Sequence, residues 1–189
     1  MVKDLIVKNR SYRRFYQDEN IDDSTMRELI DHARLSGNAA NKQTLRFMYS
    51  CDREKNKKVF STLGWAAYLK DWGGPADEER PAAYVIILDD TRTTIGFKHD
   101  CGIAAQSILL GAVEKGFGGC MIATIDKERL REILSIPEYC EILLVIALGK
   151  PKEEVVIETV GPDGDIKYWR DEKGVHHVPK RSLDDVILL

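Results

Sequence analysis

Residues 99–115 read H-D-C-G-I-A-A-Q-S-I-L-L-G-A-V-E-K. A helix drawn through this stretch is apolar almost all round, and its glycines and alanines let neighbours come close. A helix without a polar face is buried on every side. In a chain of 189 residues, a subunit interface is a natural place for that burial. Two continuous apolar runs, Y-V-I-I-L at 84–88 and I-L-L-V-I-A-L at 142–148, have the length and β-branched content of buried strands. The length fits one domain with a real core.

The rest of the chain supplies the elements that cover these three. Val2, Leu5 and Ile6 have helical spacing. Asp22 or Asp23 can cap a helix whose Met26, Leu29, Ile30 and Ala33 form a core-facing stripe, and Ser36-Gly37-Asn38 ends it. Residues 45–51 read as a strand. A helix is expected over 54–69, with Val59, Phe60 and Leu63 on one face. Residues 65–81 combine aromatics, Gly-Gly-Pro and an acidic run, as a surface loop or a lid over a pocket would. Residues 120–124 form a short strand. Asp126 caps a helix with Leu130, Ile133 and Leu134 inward, which stops before Pro137. From residue 152 charge takes over. An extended tail with a last strand at 186–189 is expected, whose apolar end must lie against this subunit or a neighbour.

Composition narrows the function. The chain is 43% hydrophobic and 31% charged with a net charge of -3, which excludes a general nucleic-acid binder. No apolar run is long enough to span a bilayer, and the N-terminus lacks the pattern of a signal peptide. Cys51, Cys101, Cys120 and Cys140 lie far apart, with no C-x-x-C pair. Buried free thiols in a reducing, cytoplasmic compartment follow.

Three polar stretches stand out. N-R-S-Y-R-R-F at 9–15 places Arg10, Arg13 and Arg14 within five residues around Ser11. Guanidinium forks match phosphate and carboxylate oxygens, so the stretch is either an anion clamp or a solvated basic patch. G-N-A-A-N-K-Q-T at 37–44 offers Asn38, Asn41 and Gln43, whose amides suit the edge of a planar heterocycle or bond their own backbone as a helix-ending loop does. Lys180 and Arg181 are a second basic pair. His176-His177 has no cysteine or carboxylate at metal-ligand spacing beside it, so no zinc site is expected. There is no G-x-S-x-G, no Walker A loop, and no G-x-G-x-x-G after a strand. Anion clamps and amides without an evident catalytic side chain point to chemistry carried by a cofactor.

Taken in order, N-R-S-Y-R-R-F, G-N-A-A-N-K-Q-T-L-R-F, the I-A-A-Q-S-I-L-L-G-A helix with E-K-G-F-G-G-C-M-I-A-T after it, and V-P-K-R-S-L-D-D-V resemble the motifs of the flavin-dependent nitroreductase family. The resemblance covers most of the chain. It implies an α+β sandwich, with a mostly antiparallel sheet of four or five strands flanked by helices, in an interlocked homodimer. Residues 1–189 would be one FMN-binding domain whose 152–189 segment reaches the partner subunit. It implies no catalytic side chain. Arg10 and Ser11 would hold the FMN phosphate or ribityl chain, Arg13 the ribityl chain or the pyrimidine edge, and Lys180 and Arg181 would complete the phosphate site. Asn38 and Asn41, from the second subunit, and Gln43 would meet the ring. Ile122 and Ala123 would present backbone to flavin N5, and Arg14 would be a surface charge.

The activity implied is hydride transfer from NADH or NADPH to FMN and then to a nitroaromatic, quinone or similar small electron acceptor, by a ping-pong mechanism. A flavin-storing or flavin-modifying protein of the same fold, or one with a protein electron donor, is the alternative. A plain anion- or phosphopeptide-binding module is a third. Departures fall at Asn9, where many members carry arginine, at Gly37-Asn38, at Thr44-Leu45 and at Met121. They bear on the substrate pocket more than on the cofactor.

Overall fold

The computed structural model describes residues 1–92 and 97–188. The chain runs α1 (Val2–Lys8), β1 (Phe15–Tyr16), α2 (Asp23–Leu35), β2 (Leu45–Ser50), α3 (Arg53–Phe60), β3 (Ala83–Asp90), α4 (Lys98–Glu114), β4 (Gly118–Ile122), α5 (Lys127–Leu134), β5 (Cys140–Pro151), β6 (Val155–Thr159), β7 (Trp169–Arg170) and β8 (His176–Lys180). Short 3-10 turns lie at Ala39–Asn41 and Asp77–Glu79. Among the described residues three helix starts are set by aspartates, and at α3 Asp52 accepts from the backbone of Lys55 at 2.7 Å. Asp22 accepts from the backbone of Thr25 at 2.7 Å, and Asp126 from that of Arg129 at 3.1 Å. Each satisfies a donor that the first helical turn leaves open.

The main sheet has five strands, all antiparallel, ordered β1-β5-β3-β2 with β4 also paired to β5. The expected α+β class and mostly antiparallel sheet are what is found. The sheet is buried on both faces, which is why β3 and β5 read as continuous apolar runs. In β3, Ala83, Val85 and Ile87 join the α2 and α4 layer, while Tyr84, Ile86 and Leu88 join the α3 and α5 layer. Opposite them, Leu88 pairs with Ile142 but Ile87 pairs with Leu144, so Leu143 is an extra residue. This β-bulge keeps Ile142 on one face and Leu144, Ile146 and Leu148 on the other, because a one-residue slip reverses every side chain beyond it. At the crossing of α2 and α4, a Cβ on Gly111 would collide with the His32 ring, so a larger residue there would have to push that side chain aside.

Several expectations change. The helix expected over 54–69 stops at Phe60. Gly64 N–H donates to Thr124 O at 2.9 Å and Asp126 N–H to Thr62 O at 2.8 Å, so pairing across to the β4–α5 connection replaces two more helical turns. Helix α4 is not buried all round within one chain: Ala104, Ala105, Ile108 and Leu109 are buried, but Ile103 is 45% exposed. The C-terminal segment is not simply extended. β6 and β8 pair parallel, and β7 joins β8 antiparallel, as a second small sheet. The strand expected at 186–189 is absent up to residue 188, and Leu189 lies outside the described residues. Val186 N–H instead closes a turn on Leu183 O at 3.2 Å. The 65–81 loop is docked: Trp72 lies under Arg170 at 4.3 Å and Tyr68 against Tyr168 at 5.0 Å.

Candidate functional site

The N-R-S-Y-R-R-F segment lies along the edge of the main sheet. Ser11 bridges Gly119, Tyr12 N–H donates to Gly119 O at 3.0 Å, and Lys152 N–H to Arg14 O at 2.9 Å. Beneath it sits Glu153, whose side chain is fully buried. One oxygen accepts from the backbone N–H of Arg13 and, at 3.2 Å, from that of Arg14. The other accepts from Arg170 at 2.8 Å. A buried carboxylate with three charge-assisted or backbone donors fixes both chain path and local charge.

That path splits the three arginines. Arg10 turns back, donating to the Ile6 carbonyl at 2.7 Å. Arg13 donates to Ser11 O at 3.2 Å and lies 3.4 Å from His176 Nε2, with its guanidinium 4.8 Å over the Tyr168 ring. Arg14 leaves the group. It forms a two-pronged pair with Glu79 at 2.6 and 2.7 Å, and Lys152 joins the same carboxylate at 2.9 Å. The expectation that Arg14 is a surface charge is therefore wrong. The hydrogen bond from Arg14 holds the Glu79 carboxyl down at about 2, so the pair is ionised and structural.

Arg10, Ser11, Arg13 and Lys180 line one cavity of about 350 Å³, together with Gln106, Gly119, Met121, Tyr168 and His176. Among the described residues, three cations line it and no carboxylate does. The Arg10 Nε and the His176 Nδ1 are both buried and have no protein partner. Burial, then the charge of Arg13, pushes the His176 imidazole down to about 4, so it stays neutral. With Nε2 turned to a guanidinium donor, Nδ1 carries the proton. A second cavity of about 240 Å³ adjoins the first, since Arg13 and Met121 line both. Ile122, Ala123, Thr124, Trp65 and Cys120 complete its wall. Ile122 ends β4 opposite Val145, and Ala123 is the first residue beyond the strand.

The amide loop is elsewhere in the single chain. Asn38 and Gln43 line a separate cavity of about 160 Å³ with Thr44, Leu45, Arg46 and Asp100. It shares no lining residue with the other two. Ala40, Asn41 and Gln43 all have left-handed φ, at 50°, 52° and 51°, where non-glycine residues are strained. Asn38 Oδ1 accepts from Gln43 N–H at 3.2 Å, and Asp100 from Ala39 N–H at 3.0 Å. Asn41 and Arg181 are exposed. The structure thus gathers six of the ten candidate residues, Arg10, Ser11, Arg13, Lys180, Ile122 and Ala123, around two touching cavities.

A model of the Nitroreductase family matches residues 75–150. An Archaeoglobus fulgidus protein, provisionally named an NADH dehydrogenase/NAD(P)H nitroreductase, is 30% identical over 157 residues, covering 79% of this chain and 85% of the relative. The chain belongs to the nitroreductase family. A Staphylococcus haemolyticus NADPH-dependent oxidoreductase is similar at 24% identity over 81% of this chain and 66% of its own length. Among solved structures, a nitroreductase family protein from Streptococcus pneumoniae TIGR4 superposes over 100% of both chains with a TM-score of 0.72 at 16% identity. An FMN-dependent nitroreductase from Clostridium difficile R20291 superposes over 82% of this chain and 89% of its own, with a TM-score of 0.65 at 23% identity. These likenesses support the fold.

Around the candidate site, Glu153, His176 and Tyr168 surround Arg13, and the sequence alone does not point to them. Glu153 sits in a charged run, K-P-K-E-E, where nothing local separates a buried carboxylate from a solvated one. His176 and Tyr168 reach Arg13 only because the small sheet folds back.

Proposed function

We propose that the chain is an FMN-dependent NAD(P)H oxidoreductase that reduces a nitroaromatic, quinone or similar small electrophile by a ping-pong mechanism. The observation that carries this reading is the pair of touching cavities, one lined by Arg10, Arg13 and Lys180 with no carboxylate, the other walled by the end of β4. The cations that line the first cavity, Arg10, Arg13 and Lys180, are hydrogen-bond donors, as a phosphorylated flavin requires. The names of the archaeal and staphylococcal relatives support a reduced nicotinamide as the electron source, and that of the Clostridium difficile structure supports FMN.

When bound, FMN supplies the redox chemistry, taking a hydride from NADH or NADPH and passing reducing equivalents to the second substrate. Arg10, Ser11 and Lys180 would hold its phosphate and ribityl end, and Arg181, exposed and next in sequence to Lys180, would add its charge from outside the cavity wall. Arg13 presents a fixed positive charge to the pyrimidine edge, where negative charge develops on reduction. Its guanidinium is preorganised by the Ser11 carbonyl and His176, so little reorganisation accompanies the charge change. Ile122 and Ala123 contribute backbone at the reacting edge of the ring. Trp65 and Met121 narrow the space left for the second substrate, which keeps water away.

The site is completed by a second copy. Ile103 on α4, Val2, Ile6 and Val7 on α1, and Leu183, Val186 and Leu188 at the C-terminal end are all exposed in one chain. A groove of about 340 Å³ lined by Leu5, Leu35, Leu110 and Gly111 runs between α1, α2 and α4. A homodimer covers these apolar surfaces and brings Asn38, Asn41 and Gln43 of the partner's loop to the ring. The test is the absorbance spectrum of the purified protein, alone and with added FMN, followed by anaerobic titration with NADH and NADPH. Flavin bands that bleach with a nicotinamide are expected. A protein that takes up no flavin, or bound flavin that neither nicotinamide bleaches, would overturn the proposal.

A further inference from the structure

We propose that residues 66–74 form a latch on the second cavity, and that, on the flavin reading given above, this latch sets how bulky an electron acceptor the reduced flavin meets. Two aromatic side chains, Tyr68 and Trp72, close it on the small sheet.

The segment is fixed at its base. Gly64 N–H donates to Thr124 O at 2.9 Å, and the Trp65 ring lies 5.6 Å from that of Phe60. Beyond this base the backbone turns sharply at each end. Ala66 has a φ of 42°, a left-handed value that strains a residue with a side chain, and Gly74 has a φ of 114°. Gly74 returns against Trp65, where a Cβ would stand 3.0 Å from the indole. The two ends of the segment therefore meet at one point, as the ends of a hinged flap do. Between them, Leu69 N–H and Trp72 N–H close turns on Ala66 O and Leu69 O at 2.8 and 3.0 Å, so the tip keeps its own shape.

The flap touches the site on one side and the small sheet on the other. Ala66 and Ala67 stand in the wall of the second cavity, with Arg13 and the end of β4. The residues that follow leave that wall. The Tyr68 ring lies 5.0 Å from the Tyr168 ring, and its backbone N–H donates to the Tyr168 hydroxyl at 3.4 Å. Trp72 lies 4.3 Å from the Arg170 guanidinium. Both anchors are tied to the site in turn: Tyr168 carries Arg13 over its ring, and Arg170 holds Glu153.

This clasp is light. Tyr68 is 50% exposed and its hydrogen bond is long, and each aromatic contact shifts a closed-to-open balance by about twofold to tenfold. A segment with so few buried contacts opens and recloses during turnover. A small acceptor fits beside the flavin with the flap closed. A bulky one needs it open, so its apparent affinity is reduced by the open fraction. Removing a contact returns that factor to the bulky acceptor alone.

Two measurements on the flavin-loaded protein test this in Tyr68→Ala, Trp72→Ala, the double variant and Tyr68→Phe. Tyr68 and Trp72 stand outside the walls of both cavities, so flavin uptake should be unchanged. Trypsin cleavage after Lys70, exposed at the tip, reports opening without reference to redox chemistry. It should be about twofold to tenfold faster in each alanine variant, with the two factors multiplied in the double variant. Tyr68→Phe keeps the ring and the backbone N–H and should match wild type. In the second measurement, flavin reduced with dithionite is mixed anaerobically with 1,4-benzoquinone or 1,4-naphthoquinone and its reoxidation followed. The rate constant for naphthoquinone should rise relative to that for benzoquinone by the factors seen with trypsin. Unaltered cleavage after Lys70 in the double variant would refute the latch. Faster cleavage with an unaltered quinone ratio would refute its part in selection and leave the flavin reading standing. A protein that takes up no flavin would refute that reading and the selection together.

Discussion

Glu153 is the residue whose removal tests the site's construction most directly. Its side chain is fully buried and Arg170, its partner at 2.8 Å, is 15% exposed. The carboxylate also takes the backbone N–H groups of Arg13 and Arg14. Glu153→Ala leaves a largely buried guanidinium uncompensated and two backbone donors open. Breaking a buried pair from one side costs about 3–5 kcal/mol. In a chain of this size each kcal/mol moves Tm by about 2–4 °C, so a fall of about 6–20 °C is expected. Glu153→Gln keeps an oxygen for the backbone donors but loses the charge, and should fall in between, at about 1.5–3 kcal/mol. Because Arg13 is placed through this carboxylate, FMN affinity should weaken in the same order. Thermal unfolding followed by circular dichroism, with FMN titration by fluorescence quenching, measures both. If both variants melt within about 2 °C of wild type, Glu153 does not hold the segment as described.

Arg10→Ala and Arg13→Ala should each weaken FMN binding by about 1.5–3 kcal/mol, the range for a hydrogen bond to a charged group; unchanged affinity in both removes the clamp. Acid should destabilise the protein in two windows. His176, ordinarily near 6.5, is pushed down to about 4 by burial, so the unfolded chain takes its proton first and stability falls as pH drops from 6.5 towards 4. Glu79, ordinarily near 4.5, is held at about 2 by Arg14; its contribution is full above 4.5 and is lost as pH falls towards 2. His176→Phe should flatten the upper window and Glu79→Gln the lower one, read from urea melts across pH; a profile unaltered in both would contradict the assignment. Ile103→Arg, on the open face of α4, should yield monomer by sedimentation velocity and lower FMN affinity at least about tenfold, while the far-ultraviolet spectrum stays native; full FMN affinity in a monomer would show that one chain suffices.

What the sequence makes legible are the features with local causes. The period-3.6 stripe of α2, the aspartates before α2 and α5, and the continuous runs of β3 and β5 fall where the residues put them. Those that fail depend on distant partners. Nothing around Leu63 reveals that Gly64 will meet Thr124, where a Cβ would lie 2.6 Å from the threonine methyl. Nothing around Arg14 shows that Glu79 waits 65 residues on. For the site, spacing indicates a concentration of guanidinium groups but not how it divides. The division is made by Glu153, Glu79 and His176, which are remote in sequence and unremarkable in composition. Asn38 and Gln43 remain apart from the arginines in one chain, as they must if the second copy supplies them.

The bulge at Leu143 gives β5 two phases. Up to Ile142 the strand serves the α3 and α5 layer on even-numbered positions, and beyond it even positions serve the α2 and α4 layer. Substitution at Leu143 itself is a small matter, since the residue pairs with nothing across the ladder. Its deletion is another kind of event. Either every later residue of β5 would turn to the wrong layer, carrying Ile146 and Leu148 out of their contacts, or the pairing with β1, β3 and β4 would shift as a block. A loop of this chain can therefore gain or lose a residue without re-aiming a core side chain, whereas the loss of one residue from this strand re-aims half of it.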